Sequence, residues 1–338
     1  MVDSMTQSGA GTIKPHPPTS TAQHAAIRKM SLNFVTLDVF TSTPYSGNPL
    51  GVVFLDSQPI TQSQKQNIAR EFNLSETIFV HPTTEPTTRT IDIFTTDCEI
   101  PFAGHPTIGA ASWFLTHSAE KGVTTLATKS GIIPISIQDK ETNYVAARIA
   151  QNTRIHKARF DRSEVLRLHP SLKPFLPEGV TFPLFSIVNG MSQLFIELES
   201  LEALAAVTPA TGGELISAAE TEYLDEGWRA GLVCVYFFVR DVQDEVLSKK
   251  VIRSRMMLGT LEDPATGSSA SGLAAYLTLT EGQAGQAHEY HVVQGVEMGR
   301  RSDIGVGVTL DADKKIEQVV LTGTAVSVSE GKVRVPPA

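Results

Sequence analysis

Two short stretches combine residues able to move protons with a backbone able to hold an anion. "EIPFAGHPTIGAASWFL" (99–115) sets Gly104, His105 and Pro106 directly before an apolar run. About 160 residues later, "EDPATGSSASGLAAYL" (262–277) repeats the shape, with Asp263 and Ser268 in place of the histidine. Glycine lets a backbone approach a ligand closely, and Pro106 at the first helical position gives up no needed donor. A helix start carries unpaired N–H groups and a partial positive charge, so it favours an anion. Two such starts facing one cleft suit a small substrate bearing a carboxylate. Together with Glu76 of "NLSETIFV", the residues His105, Asp263 and Ser268 supply two carboxylates, an imidazole and a hydroxyl, a set suited to proton transfer. A carboxylate flanked by Ile78 and Phe79 is partly desolvated, which raises its pKa and its basicity. Each residue also has an ordinary structural use, His105 as a cap, Asp263 as a turn former and Glu76 as a strand opener. Their joint recurrence at helix starts is what points to chemistry.

The elements that must position these groups are readable from pattern. "SLNFVTLDVF" and "NPLGVVFLD" are strands joined through the turn stretch "TSTPYSG". "ITQSQKQNIAREF" is a helix opened by a Thr61–Gln64 capping box, with Ile60 as a staple and Asn73 as a left-handed stop. "ETIFVHP" and "RTIDIFTT" follow as strands, then the GHPT helix, giving the order β-β-α-β-β-α. "TFPLFSIV" and "SQLFIEL" form a hairpin across Asn189-Gly190, "LEALAAV" is helical, "GLVCVYFFV" and "VIRSRMM" are strands, and "SSASGLAAYLTL" is a helix. The order thus occurs twice, pairing Gly104 with Gly267, His105 with Ser268 and Gly109 with Gly272. Both closing helices are apolar nearly all round, so each is expected inside a curled sheet. "EYHVVQG", "IGVGVTL" and "QVVLTGTAVSVSEG" complete the second half as strands, one or two of which return to the first.

Composition excludes several classes. The chain has 338 residues, 41% hydrophobic and 19% charged, ordinary for a globular protein large enough for two lobes. A net charge of −8 with scattered Lys and Arg argues against a nucleic-acid partner. No apolar run approaches the roughly 18–20 residues of a membrane helix, so no membrane partner is expected. Residues 1–30 hold little to bury and lack the apolar stretch of a signal peptide. They are expected to be a mobile extension, with the cytoplasm as default location. Cys98 and Cys234 suggest no disulfide framework. Neither lies at a helix tip, so a two-thiol racemase mechanism is not expected. "HEYH" (His288–His291) has the wrong spacing for a zinc helix, "GVGV" lacks a strand–turn–helix context, and no Walker loop is present. Neither metal nor cofactor is expected.

"FTSTPYSGNPLGVVF", "REFNLSETIFV", "FAGHPTIGAA", "EDPATGSSASGLAAYL" and "QGVEMGRRSDIGV" resemble, in order and spacing, the PhzF-like (phenazine biosynthesis PhzF) family over about residues 31 to 338. The resemblance implies the diaminopimelate-epimerase-like α+β fold: two pseudo-symmetric lobes, each a curled, mostly antiparallel sheet around a central helix. The lobes would span 31–150 and 151–338. It implies an isomerase without metal or nucleotide, and a homodimer. The family's characterised reaction isomerises trans-2,3-dihydro-3-hydroxyanthranilate, with a glutamate moving a proton between ring carbons. The match makes Glu76 the general acid/base. It makes Gly104, His105, Asp263, Gly267 and Ser268 the groups that orient the substrate, hold its carboxylate and relay protons, and Asn48 a further substrate contact. The chain departs from the family at Arg301, where proline is frequent, and at Ser269, where alanine is common. Three readings follow. One is an isomerase using Glu76 on one face of a small cyclic amino or hydroxy acid. Another is a racemase with Glu76 and Asp263 on opposite faces, and the third is a non-catalytic binding protein.

Overall fold

The computed structural model describes residues 30–55 and 59–337. Residues 1–29 of the expected extension lie outside them. Strand Ser31–Val39 pairs antiparallel with Asn48–Phe54. Gly47, at φ +66°, makes the turn between them, and any side chain there would collide with the Val39 carbonyl. Helix Gln62–Phe72 follows. Its capping box between Thr61 and Gln64 is formed, and Asn73 ends it at φ 51°. This crossover returns the chain so that Glu76–Val80 lies parallel to Asn48–Phe54, with Leu50 opposite Glu76. Thr88–Phe94 and the two-residue strand Glu99–Ile100 continue the sheet ahead of helix Gly104–Ser112.

The second half repeats these pairings step for step. Thr181–Val188 and Met191–Glu197 form the hairpin, and helix Leu201–Ala205 crosses over. Leu232–Asp244 lies parallel to Met191–Glu197, with Cys234 opposite Gln193. Lys249–Leu258 and Leu261–Asp263 then lead into helix Gly267–Glu281. After each of these helices three strands follow the same plan: Thr125–Thr128, Gly131–Asp139 and Tyr144–Ile149 in the first half, Ala287–Gln294, Ser302–Leu310 and Ile316–Gly323 in the second. Tyr144–Ile149 and Ile316–Gly323 pair with each other, Ala147 opposite Leu321, and join the halves. Arg154–Asp161 pairs with Thr181–Val188, while Ala325–Arg334 runs back to Ser31–Val39. The 18 strands among the described residues belong to one hydrogen-bonded sheet, so the architecture is α+β.

Helix Gly104–Ser112 is buried along its whole length, and Gly267–Ala275 equally so. Each is apolar all round because sheet covers every side. The first packs on Ser31–Val39, Asn48–Phe54, Tyr144–Ile149 and Ala325–Arg334, the second on Thr181–Val188, Met191–Glu197 and Ser302–Leu310. Strand alternation directs Glu76, Ile78 and Val80 towards the first of these helices, whereas Phe79 joins Ile60 and Ile68 in a smaller core beneath Gln62–Phe72.

The structure amends the sequence reading in several places. Both inner helices begin earlier than the pattern indicates, at Gly104 and Gly267, so Pro106 is the third helical residue rather than the first. The first turn has no intrahelical acceptors, so the ring still removes no bond. "QVVLTGTAVSVSEG" is two strands, broken at Thr324, and both reach the first half, the first along Tyr144–Ile149 and the second along Ser31–Val39. Strands Glu99–Ile100 and Leu261–Asp263 escape a pattern search because two or three residues show no period.

Candidate active site

The two inner helices touch at their starts. A Cβ built on Gly104 would stand 2.8 Å from the Gly267 carbonyl carbon and 2.9 Å from the Ser268 nitrogen. Only a residue without a side chain lets the backbones meet there. The N-caps, Ala103 and Thr266, make no side-chain capping bond, so neither helix satisfies its first-turn N–H groups in that way.

Glu76 enters from the first residue of its strand. Its side chain is 17% exposed, and Oε2 lies 3.2 Å from His105 Nδ1 without a hydrogen-bond partner. Burial, and then the negative charge of Asp263, push the Glu76 carboxyl well above its ordinary 4.5, against a hydrogen bond to Ser75. Burial of the carboxyl has the expected direction, but of the two flanking residues only Ile78 shares its face of the strand, since Phe79 lies in the core on the other side. His105 is buried, and burial holds its imidazolium down to about 3 despite a backbone hydrogen bond at Pro49. The ring is thus neutral near pH 7, and its Nε2 has no partner. Glu76 and His105 meet as neutral groups, not as an ion pair.

Asp263 ends the strand before the second helix. One carboxylate oxygen accepts from Asn48 Nδ2 at 2.7 Å and the other from Thr266 Oγ1 at 2.5 Å. Burial raises its pKa, and those two hydrogen bonds oppose the rise. Its bonds run to side chains, not to the backbone amides an ordinary turn-forming aspartate would use. Gln294 donates to the Asp263 carbonyl at 2.7 Å and accepts from Tyr236 at 3.0 Å. Asn48 donates its second amide hydrogen to the Ala265 carbonyl at 3.0 Å and accepts from Ser75 at 3.2 Å. Asn48, Glu76, Gly104, His105, Asp263, Gly267 and Ser268 thus lie in one connected cluster. Ser75, Thr266, Gln294 and Tyr236 were not anticipated. The first two sit inside the motifs themselves, while nothing in the strands around the last two sets them apart.

The family described as phenazine biosynthesis-like protein, PhzC-PhzF, matches residues 37–331. The chain belongs to that family. It is 31% identical over 302 residues to the trans-2,3-dihydro-3-hydroxyanthranilate isomerase of Pseudomonas aeruginosa, covering 88% of this chain and 98% of that one. It is also 31% identical to an uncharacterized isomerase of Mesorhizobium japonicum, covering 89% and 98%. The crystal structure of a PhzF-family protein from Bacillus anthracis superposes with a TM-score of 0.70 at 25% identity, over 90% of this chain and 99% of that one. A hydroxyproline epimerase from Agrobacterium vitis, at 12% identity, TM-score 0.56 and coverage of 91% and 94%, shows likeness of fold alone. The chain is an isomerase of the PhzF family.

Within this PhzF-family chain the departure at Arg301 has a local explanation. Its guanidinium makes two bonds to Asp244, at 2.8 and 2.9 Å, and one to Asp303 at 3.0 Å. Neighbouring Arg300 donates to Asp38 and to the carbonyls of Ser46 and Gly47, bracing the turn before Asn48. Ser269 is fully buried and its hydroxyl has no partner. Among the described residues no group of three or more His, Cys, Asp or Glu could hold a metal ion, and His291 meets Lys249 instead. No helix among them is long and apolar enough to cross a membrane. Two surface concavities lie elsewhere, one beside His169 and Met257, the other of about 230 Å³ beside Arg240, Glu281 and Tyr290. Neither includes Glu76, His105 or Asp263.

Proposed function

We propose that this chain is a cofactor-independent isomerase that moves one proton between carbons of a small, unsaturated, carboxylate-bearing ring substrate. The observation that carries the reading is the Glu76 carboxyl. It is desolvated, its Oε2 has no hydrogen-bond partner, and it faces a neutral histidine beside two touching helix starts. Two lobes, 31–150 and 151–338, part at that contact to admit substrate, and the helix starts at Gly104, Gly267 and Ser268 take its carboxylate. Glu76 in its ionised form removes the C–H proton, the electron pair shifts along the conjugated system, and the resulting acid returns the proton to the far carbon on the same face. Its raised pKa brings the two protonation states close to working pH. His105 and Ser268 relay or orient, and Asn48, with both amide hydrogens engaged, holds Asp263 in place. The protein works as a homodimer in the cytoplasm.

Asp263 raises the Glu76 pKa by its charge, which keeps a second reading in view: a racemase with these two carboxylates as opposed bases. The hydrogen bonds occupying both Asp263 oxygens favour the one-base route. No lysine or arginine pairs with Glu76 among the described residues, which speaks against a purely binding role. The test uses trans-2,3-dihydro-3-hydroxyanthranilate, the substrate named for the relatives, in D2O. Glu76→Gln should lower turnover by about 10²–10⁴-fold, while 3-hydroxyanthranilate still raises its Tm. Wild-type turnover by Glu76→Gln defeats the proposal, and inversion with full solvent exchange favours the racemase.

A further inference from the structure

The repeat is tight enough to name the counterpart of every site residue. In the first half Glu76 stands opposite Leu50, and Leu50 is the side chain that a Cβ on Gly109 would strike. In the second half Cys234 stands opposite Gln193, and Gln193 Oε1 is what a Cβ on Gly272 would meet, at 2.7 Å. A separate chain of pairings agrees. Thr77 pairs with Phe94, and Phe94 with Glu99, five residues before Gly104. Val235 pairs with Met257, and Met257 with Glu262, five residues before Gly267. Both routes place Cys234 where the first half has Glu76. Asp263, by the same register, matches Ile100, so it is not the twofold mate of Glu76.

Cys234 shares its strand face with Tyr236, whose hydroxyl reaches Gln294 and through it Asp263. The thiol senses the site: burial, then the charges of Asp263 and Glu76, push it up to about 12, so it stays protonated. Beside it Gln193 is fully buried, and its Oε1 has no partner. An amide oxygen left bare in a core is destabilising unless something donates to it.

We infer that Cys234 and Gln193 form the wall of the site opposite Glu76. The thiol lies against the substrate face turned away from the carboxylate, and Gln193 Oε1 accepts from a substrate hydroxyl or amine. The role rests on the isomerase reading above, whereas the placement does not. It also gives a reason for one-base chemistry. The position that would hold the second base carries a neutral thiol.

The experiment uses full-length protein with Cys98→Ser, leaving Cys234 as its one thiol. Labelling by methyl methanethiosulfonate is followed between pH 8 and 10. Removing the nearby charge with Glu76→Gln should speed labelling several-fold, and an unchanged rate in the folded variant overturns the placement. Bound 3-hydroxyanthranilate should slow labelling at least tenfold. A ligand that raises Tm yet leaves labelling unaltered overturns the wall while sparing the isomerase reading. If the ligand neither binds nor protects, the proposed substrate class falls and the Glu76→Gln labelling rate alone decides the placement. Gln193→Leu, which copies Leu50 of the other half, should fold as well as the parent and raise KM about tenfold with little change in kcat. An unaltered KM removes Gln193 from the wall.

Discussion

Replacing Gly104 by alanine probes the contact between the two helix starts. The new Cβ would stand 2.8 Å from the Gly267 carbonyl carbon and 2.9 Å from Gly267 Cα and the Ser268 nitrogen. Carbon–carbon contacts settle at about 3.5 Å or more, so the starts must separate by about 0.7 Å. All three atoms are backbone, so no side chain can swing aside. Overpacking of this kind costs about 1–3 kcal/mol. Glycine to alanine at an unhindered helical position gains up to about 1 kcal/mol instead. The two cases differ in sign, which makes urea unfolding decisive. Since a misplacement near 1 Å lowers a rate by about 10²-fold, kcat/KM should fall by tens-fold in the same preparation. Gly109→Ala is the comparison, because its Cβ would press on Leu50 Cδ2, the tip of a side chain. That change should cost packing energy without parting the helices. A Gly104→Ala protein with undiminished stability and kcat/KM would refute the argument.

Other outcomes follow from the same geometry. Glu76 binds its proton more tightly folded than unfolded, so its stabilising contribution is complete below its ordinary 4.5 and disappears as pH rises through the raised folded value. Chemical denaturation from pH 4.5 to 8.5 should therefore show wild type losing stability relative to Glu76→Gln, and parallel curves would contradict the burial argument. Asn48→Ala strips partners from Asp263 and the Ala265 carbonyl and should cost about 1–3 kcal/mol. Asn48→Asp should be worse, since it sets a second carboxylate beside Asp263, a ranking that thermal melts can check. Burial alone would raise the Asp92 pKa, but hydrogen bonds from His81 and Lys65 hold it down to about 2. Lys65→Met should accordingly cost about 3 kcal/mol while leaving kcat/KM intact, because that ion pair lies on the far side of the sheet from the inner helix.

The motifs carried most of the candidate site because its residues are local. Gly104 and His105 are consecutive, and Asp263, Thr266, Gly267 and Ser268 lie within one turn and its helix start. The repeated order was legible for the same reason, since a capping box, an Asn-Gly turn and all-apolar helices are short-range signals. What the sequence concealed is long-range. Nothing local tells Asn48 that its amide serves Asp263, 215 positions away. Gln294 and Tyr236 acquire meaning only when two strands bring them beneath the second helix start. The strands between 125 and 161 pass unmarked because their pairing partners are distant. The equivalence of Cys234 with Glu76 needs strand register, and register is a property of pairs.

The pairing of Ser31–Val39 with Ala325–Arg334 bears on how the molecule comes into being. Thr36 and Ser329, 293 positions apart, share a hydrogen bond across that seam. During synthesis the opening strand therefore keeps a bare edge until nearly all of the chain has left the ribosome, and bare edges recruit wrong neighbours. Closing so long a loop also slows folding. Such a protein should depend on chaperones while nascent, and loss of residues 325–334 should expose its first strand to aggregation.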